Sequence, residues 1–196
     1  MMRSDLIAAS MPQPRRLRFS VDDYYKMISM GMIEDHERSE IIDGEIVPKM
    51  TIGDRHAWVV DMLARIFIKA LPDTIRVCVQ NPLRLSDYDE PEPDIVLADL
   101  TRYDGKRHPQ PEETMLVVEV SDKTLRYDRD TKLPMYANAG IREVWIVNLC
   151  DNVIEIHHSP VVGIYQNVGV FGSGDVTVST ILPDLDLAAS DILTWE

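Results

Sequence analysis

The sequence predicts one domain of mixed α/β class, built as a central mixed sheet with helices packed against it. Three observations predict this. Helical and β-type stretches follow one another in the order helix, hairpin, helix, several strands, helix, strands. The chain has 196 residues and 45% hydrophobic content, enough for one full core. No repeat, low-complexity tract or second-domain signal interrupts it. Residues 1–18 read as a flexible N-terminal tail and 19–196 as the domain.

Ser20 is a helix N-cap with Asp23 as its capping-box partner, and Phe19 can staple onto Tyr24. That helix runs to about Met30 and stops at Gly31. "SEIIDGEIVPKM" is a hairpin around Asp43-Gly44, residues that favour a tight two-residue turn. A second helix spans about Asp54 to Leu71. Trp58, Met62, Ile66 and Ala70 recur every four residues and predict its buried face. β-type runs follow at Ile75–Leu85, Asp94–Ala98 and Met115–Val120, joined by linkers rich in Pro, Asp and Gly. "RDTKLPMYANAG" reads as a short helix capped by Asp130 or Thr131, with Pro134 in the first turn and Gly140 at the end. Strands at Glu143–Leu149 and Val153–His157 come next, then Gly-punctuated strands and a terminal turn. Trp58 and Trp145 read as packing residues.

Cys78 and Cys150 are lone cysteines without metal-ligand spacing, which predicts a reducing, cytoplasmic setting. No stretch reaches the ~20 apolar residues of a membrane span. Net charge is −13, which excludes a protein that coats nucleic acid through a broadly basic surface. The distribution is uneven. Through Arg18 the tail is net +3, so the remainder is −16. Within that remainder, residues 102–132 hold seven bases (Arg102, Lys106, Arg107, Lys123, Arg126, Arg129, Lys132) against seven acids.

Two carboxylates sit in the apolar runs. Asp94 opens one run, and Glu119 lies among Val117, Val118 and Val120. A charge near a core costs several kcal/mol unless it is paired or bound to metal. If the runs pair, the two acids meet at one end of the sheet. They then need a shared proton or a cation between them. Oxygen donors without a Cys or His cluster suit a hard ion, Mg²⁺ or Mn²⁺. Either acid alone also fits an ordinary solvated or salt-bridged strand-end residue. Lys132 has two readings: a helix-surface partner of Asp128 at i,i+4, or a cation within the metal site.

The segments "PDIVLAD" and "LVVEVSDKTLRYDRDTKLPMYANAGIREVWIVNL" resemble the Uma-type restriction endonucleases of the PD-(D/E)XK nuclease superfamily. The resemblance runs from "YYKMISMGMIEDHERSEIIDGEIVPKM" to "STILPDLDLAASDIL" and is strongest in "DTKLPMYANAGIREVWIVNL". It implies a restriction-endonuclease-like core. Asp94 matches the first acid and Glu119 the second; with the carbonyl of Val120 they would hold Mg²⁺ or Mn²⁺. The usual lysine position, two after Glu119, is Ser121 here. The resemblance is to branches whose lysine has moved to the following helix, where Lys132 matches. Glu40 matches an acid near the first strand, and His56 a histidine opening the second helix. Ser121 and Asp128 are supporting residues.

The function so implied is a metal-dependent endodeoxyribonuclease that uses an activated water. DNA would run along Arg102, Lys106, Arg107, Lys123, Arg126 and Arg129, and a homodimer would supply two active sites for double-strand cleavage. A catalytically inactive interaction protein on the same fold is the alternative, favoured by the acidic composition and by Ser121. A metal-dependent hydrolase of a smaller phosphate ester is a third reading.

Overall fold

The computed structural model describes residues 17–33 and 39–195. The expected N-terminal tail lies almost wholly outside the described residues. The expected capping box forms: Ser20 Oγ accepts from the Asp23 N–H at 3.1 Å, and the Asp23 carboxylate accepts from the Ser20 N–H at 3.2 Å. It opens α1, Val21–Ser29. Next come β1 (Ser39–Ile42) and β2 (Glu45–Pro48), an antiparallel hairpin. Its turn residues Asp43 and Gly44 have φ of 52° and 71°. A Cβ on Gly44 would lie 2.6 Å from Arg18 Cβ, so the turn needs glycine there.

The core is a six-stranded sheet in the order β3-β4-β5-β6-β7-β8. The strands are β3 (Ile75–Val79), β4 (Ile95–Asp99), β5 (Thr114–Ser121), β6 (Glu143–Asn148), β7 (Val153–Val161) and β8 (Ile164–Phe171). Only β5 and β6 pair in parallel; the other neighbours are antiparallel. The β5–β6 crossover needs a helix to return the chain. α3 (Leu125–Tyr127), a π-turn (Asp128–Lys132) and α4 (Leu133–Asn138) supply it. β5 and β6 are covered on both faces and read as near-continuous apolar runs. On one face Ile95, Leu97, Val118 and Trp145 pack under α2 (Asp54–Ala70). On the other, Val96, Ala98, Val117 and Val144 pack with Tyr136 of α4. A small β9 (Val176–Thr177) and β10 (Leu187–Ala188) pair and α5 (Ser190–Leu193) ends the chain.

Three sequence expectations need correction. α2 buries Val59, Leu63 and Phe67, with Val60 and Ala64, rather than the row through Trp58 and Met62; Ala70 is exposed. The apolar arc is wide, and Trp58 instead meets Trp195 edge-on, with ring centroids 5.5 Å apart. β3 stops at Val79: Gln80 takes a φ of 49° and turns the chain, while its N–H still bonds the Asp94 carbonyl at 2.9 Å. The helical crossover begins at Leu125, so Asp130 and Thr131 lie within it and cap nothing.

Asp128 and Arg129 help tie the π-turn to the sheet. Ser121 Oγ donates to Asp128 Oδ2 at 2.8 Å, and Arg129 pairs with Glu155 of β7. Glu155 also accepts from Asn148 Nδ2 at 3.0 Å and faces His157. Burial raises the Glu155 carboxyl, but His157, Arg129 and Asn148 outweigh it and bring it down to about 2. A depressed carboxyl stabilises the fold above its unfolded value near 4.5 and loses that contribution as pH falls toward 2. Glu155→Gln should therefore cost about 2 kcal/mol at pH 7 and far less near pH 2, read by urea unfolding at both. A pH-independent difference would show that Glu155 works by packing alone.

Candidate active site

Register brings the two strand carboxylates together. Ile95 pairs with Val118, so the next step along the antiparallel ladder sets Asp94 opposite Glu119. Both line a cleft of about 590 Å³, floored by the ends of β4 and β5 and walled by the β1–β2 hairpin, α2 and the helical crossover. Glu40, His56, Val120, Lys123, Asp128 and Lys132 line the same cleft.

Asp94 accepts from the backbone N–H of Val120 at 2.7 Å, in a fully buried bond. A strand residue directs its N–H and C=O toward the same neighbour. The Val120 carbonyl therefore shares the direction of Asp94. The second contact of Asp94 is His56 Nε2, at 3.1 Å. Burial pulls the His56 imidazole down, but the hydrogen bond and charge of Asp94 outweigh it, so its net shift is upward.

Glu119 faces the crossover. Lys132 Nζ lies 3.2 Å from its Oε1 and 3.5 Å from Glu40 Oε2. The Lys132 side chain is 9% exposed, so it is a buried cation and not a surface partner of Asp128. Burial alone would strip its proton; Glu119, Glu40, Asp128 and Asp94 hold it well above the ordinary lysine value. Tyr136 donates to the same Glu119 oxygen at 2.5 Å. Burial pushes the Glu119 carboxyl up to about 8; Lys132 opposes the rise, and Asp128 and Asp94 add to it. Asp128 is likewise raised by burial, against Lys132, Thr124 and Ser121.

Glu40 is fixed by the Glu92 N–H at 3.0 Å, and Lys49 pairs with Glu92 at 2.6 Å on the cleft wall. Tyr127 lines the cleft with a buried hydroxyl that has no hydrogen-bond partner among the described residues. Sequence reasoning missed Tyr136, Tyr127, Lys49 and Glu92. Tyr136 reads from sequence as a core position on a helix, and only the fold shows its hydroxyl under Glu119. "EPEP", next to Asp94, is the signal that points to Glu92.

The donor set fits a hard cation. Among the described residues no three His, Cys, Asp or Glu side chains converge to hold a metal. Mg²⁺ needs only one or two carboxylates, with water and substrate oxygens completing its shell. Asp94, Glu119 and the Val120 carbonyl offer that minimal set. A cation there would also lower the high Glu119 carboxyl.

The bases grouped by sequence are dispersed by the fold. Lys123 lines the cleft. Arg129 is bound to Glu155, and Arg126, 93% exposed, pairs with Asp130 at 3.3 Å. Arg102, Lys106 and Arg107 sit on the β4–β5 connection. Thr114 to Glu119 spans about 17 Å of strand, so these three lie at the opposite end of the sheet.

A crystal structure described as a putative nuclease belonging to DUF820, from Anabaena variabilis ATCC 29413, is similar to this chain. Its TM-score is 0.68 at 15% identity, over 89% of this chain and 97% of that one. At that identity the likeness is one of fold. The comparison with curated proteins returned no match. No helix of the described residues is long and apolar enough to cross a membrane. The model of the Uma2 family, described as putative restriction endonuclease, matches residues 21–190, and the chain belongs to that family.

Proposed function

We propose that the chain is a metal-dependent endonuclease that hydrolyses DNA phosphodiester bonds with water as nucleophile. The observation that carries the reading is the buried Lys132 ammonium, held 3.2 Å from Glu119 in the cleft that also holds Asp94. A lysine buried among carboxylates contributes little net stability. It makes sense where charge must be placed with precision before a reaction.

Mg²⁺ or Mn²⁺, bound by Asp94, Glu119 and the Val120 carbonyl, would polarise the phosphate and acidify a water. The protein groups do the rest. Lys132 stays protonated and faces negative charge that grows on the phosphoryl oxygens. His56 and the Val120 N–H fix the rotamer of Asp94. Tyr136 and Lys132 fix Glu119. Lys123, which lines the cleft, would meet a DNA phosphate. The two cysteines are free, one buried and one exposed, which suits a reducing cytoplasm. A homodimer would place two clefts on one duplex.

Titration with Mn²⁺ by calorimetry should give one site whose affinity falls at least about tenfold in Asp94→Ala and in Glu119→Ala. Undiminished affinity in both variants would remove the metal site. If wild type binds Mn²⁺ but leaves plasmid DNA uncut with Mg²⁺ or Mn²⁺, the chain is a non-catalytic interaction protein on this fold.

Lys132→Ala should slow plasmid cleavage by about 10²-fold or more, roughly 2.7 kcal/mol. The surface reading predicts almost no change in folding. The burial of Lys132 predicts instead a loss of about 3 kcal/mol, because two carboxylates are left without their cation. Cleavage rates should therefore be compared at a temperature where circular dichroism shows both proteins folded. Rates within about threefold of each other would exclude Lys132 from the chemistry.

A further inference from the structure

We propose that a second pocket, at the other end of β3, binds the phosphate of a nucleotide. It encloses about 470 Å³, within the range of small-ligand sites. Arg76 and Cys78 of β3 line it, while Gln80, two residues beyond Cys78, lines the cleft. Side chains two apart share a face of a strand, and the four residues from Arg76 to Gln80 span about 13 Å. The two cavities therefore lie along one face of the sheet.

The charge of this pocket runs against that of the chain. Arg76, Arg84, Lys106 and Arg107 line it with a single acid, Glu90, in a protein of net charge −13. Glu90 is already engaged: Tyr25 donates its hydroxyl to the carboxylate, and His108 Nδ1 lies 3.2 Å away. Arg107 clamps Glu113. Arg84 leans on Asp22 and Asp87, whose side chains are 68% and 84% exposed, so water competes for those contacts. Arg76 differs from both. Its Nη1 donates to the Gly105 carbonyl at 2.6 Å, and among the described residues it forms no ion pair. The half-buried Arg76 guanidinium lines the pocket, close to the Tyr103 hydroxyl, and its fork matches phosphate oxygens. Lys106 is exposed beside it, 4.0 Å from Asp104.

The other wall suits a base. The rings of Tyr25 and His108 stand 6.1 Å apart, and a nucleobase can stack on either. Asn81, also lining the pocket, offers an amide to a base edge. The Cys78 thiol at the floor is raised by burial and adds no negative charge. Phosphate next to an aromatic wall describes a nucleotide, either free or within a strand that leaves the cleft. The proposal stands apart from the metal-site reading, since no residue of the Asp94–Glu119–Lys132 group lines this pocket.

The test uses the full chain in EDTA, with two probes: thymidine 5′-monophosphate by calorimetry and a short labelled DNA strand by anisotropy. Arg76→Gln removes the charge but keeps a donor for Gly105. It should weaken one or both probes by about tenfold, while Lys69→Gln, a change at an exposed α2 position outside both cavities, leaves them unchanged. Loss for the mononucleotide alone assigns a free-nucleotide site; loss for the strand assigns a DNA path. The proposal is overturned if wild type binds neither probe, if Arg76→Gln binds both as wild type does, or if Lys69→Gln weakens them equally.

Discussion

The structure turns on one buried cation. Lys132 lies between Glu40 and Glu119 with its side chain 9% exposed. Taking an ammonium out of water costs several kcal/mol, and only close carboxylates return it. Three separate pieces of chain are committed to that contact. The β1–β2 hairpin delivers Glu40, β5 delivers Glu119, and the crossover delivers the lysine. Each acid is then held by a neutral donor: Glu40 by the Glu92 N–H, Glu119 by Tyr136. Burial, opposed by Lys132, raises the Glu119 carboxyl to about 8, and Asp128 and Asp94 add to the rise, because the cluster has more acids than cations. A site left short of positive charge in this way is matched to a ligand that brings some.

The placement of Lys132 depends on the π-turn. Leu133 donates its N–H to the carbonyl of Asp128, five residues back. Pro134 follows directly and has no N–H to offer the carbonyl of Asp130. In a regular helix its ring would press on that carbonyl. The wider turn relieves the clash and rotates Lys132 and Asp128 inward, so that both are buried. Asp128 then reaches Ser121, and Arg129 reaches Glu155. One proline thus converts a surface helix position into a buried charge.

Much of this was legible in the sequence. Glu119 among valines marks a buried carboxylate that needs partners, and the Asp43-Gly44 turn and the Ser20 cap are local signals that tertiary context did not override. The family resemblance identified Lys132, because local spacing offers the Asp128 pair equally well. What could not be read was orientation. The α2 arc carries two adjacent apolar rows, and the sheet, not the helix, decides which one is buried. Arg107 and Lys123 are near in sequence, yet β5 lies between them and sends one to each end of the sheet. The Glu40 carboxylate meets the Glu92 N–H only once the hairpin has docked.

Ser121 supports the turn that carries Lys132. Residues two apart on a strand face the same way, so Ser121 and Glu119 both address the crossover. Ser121 is fully buried and gives its hydroxyl to Asp128, the first residue of the π-turn. A lysine side chain at 121 would fill that space and remove the bond anchoring the turn that carries Lys132. The two positions exclude each other: a strand lysine has no need of the anchored turn, and an anchored turn leaves no room for a strand lysine. Serine at 121 has a structural role of its own. It is the small hydroxyl that fixes the helix from which the cation now comes.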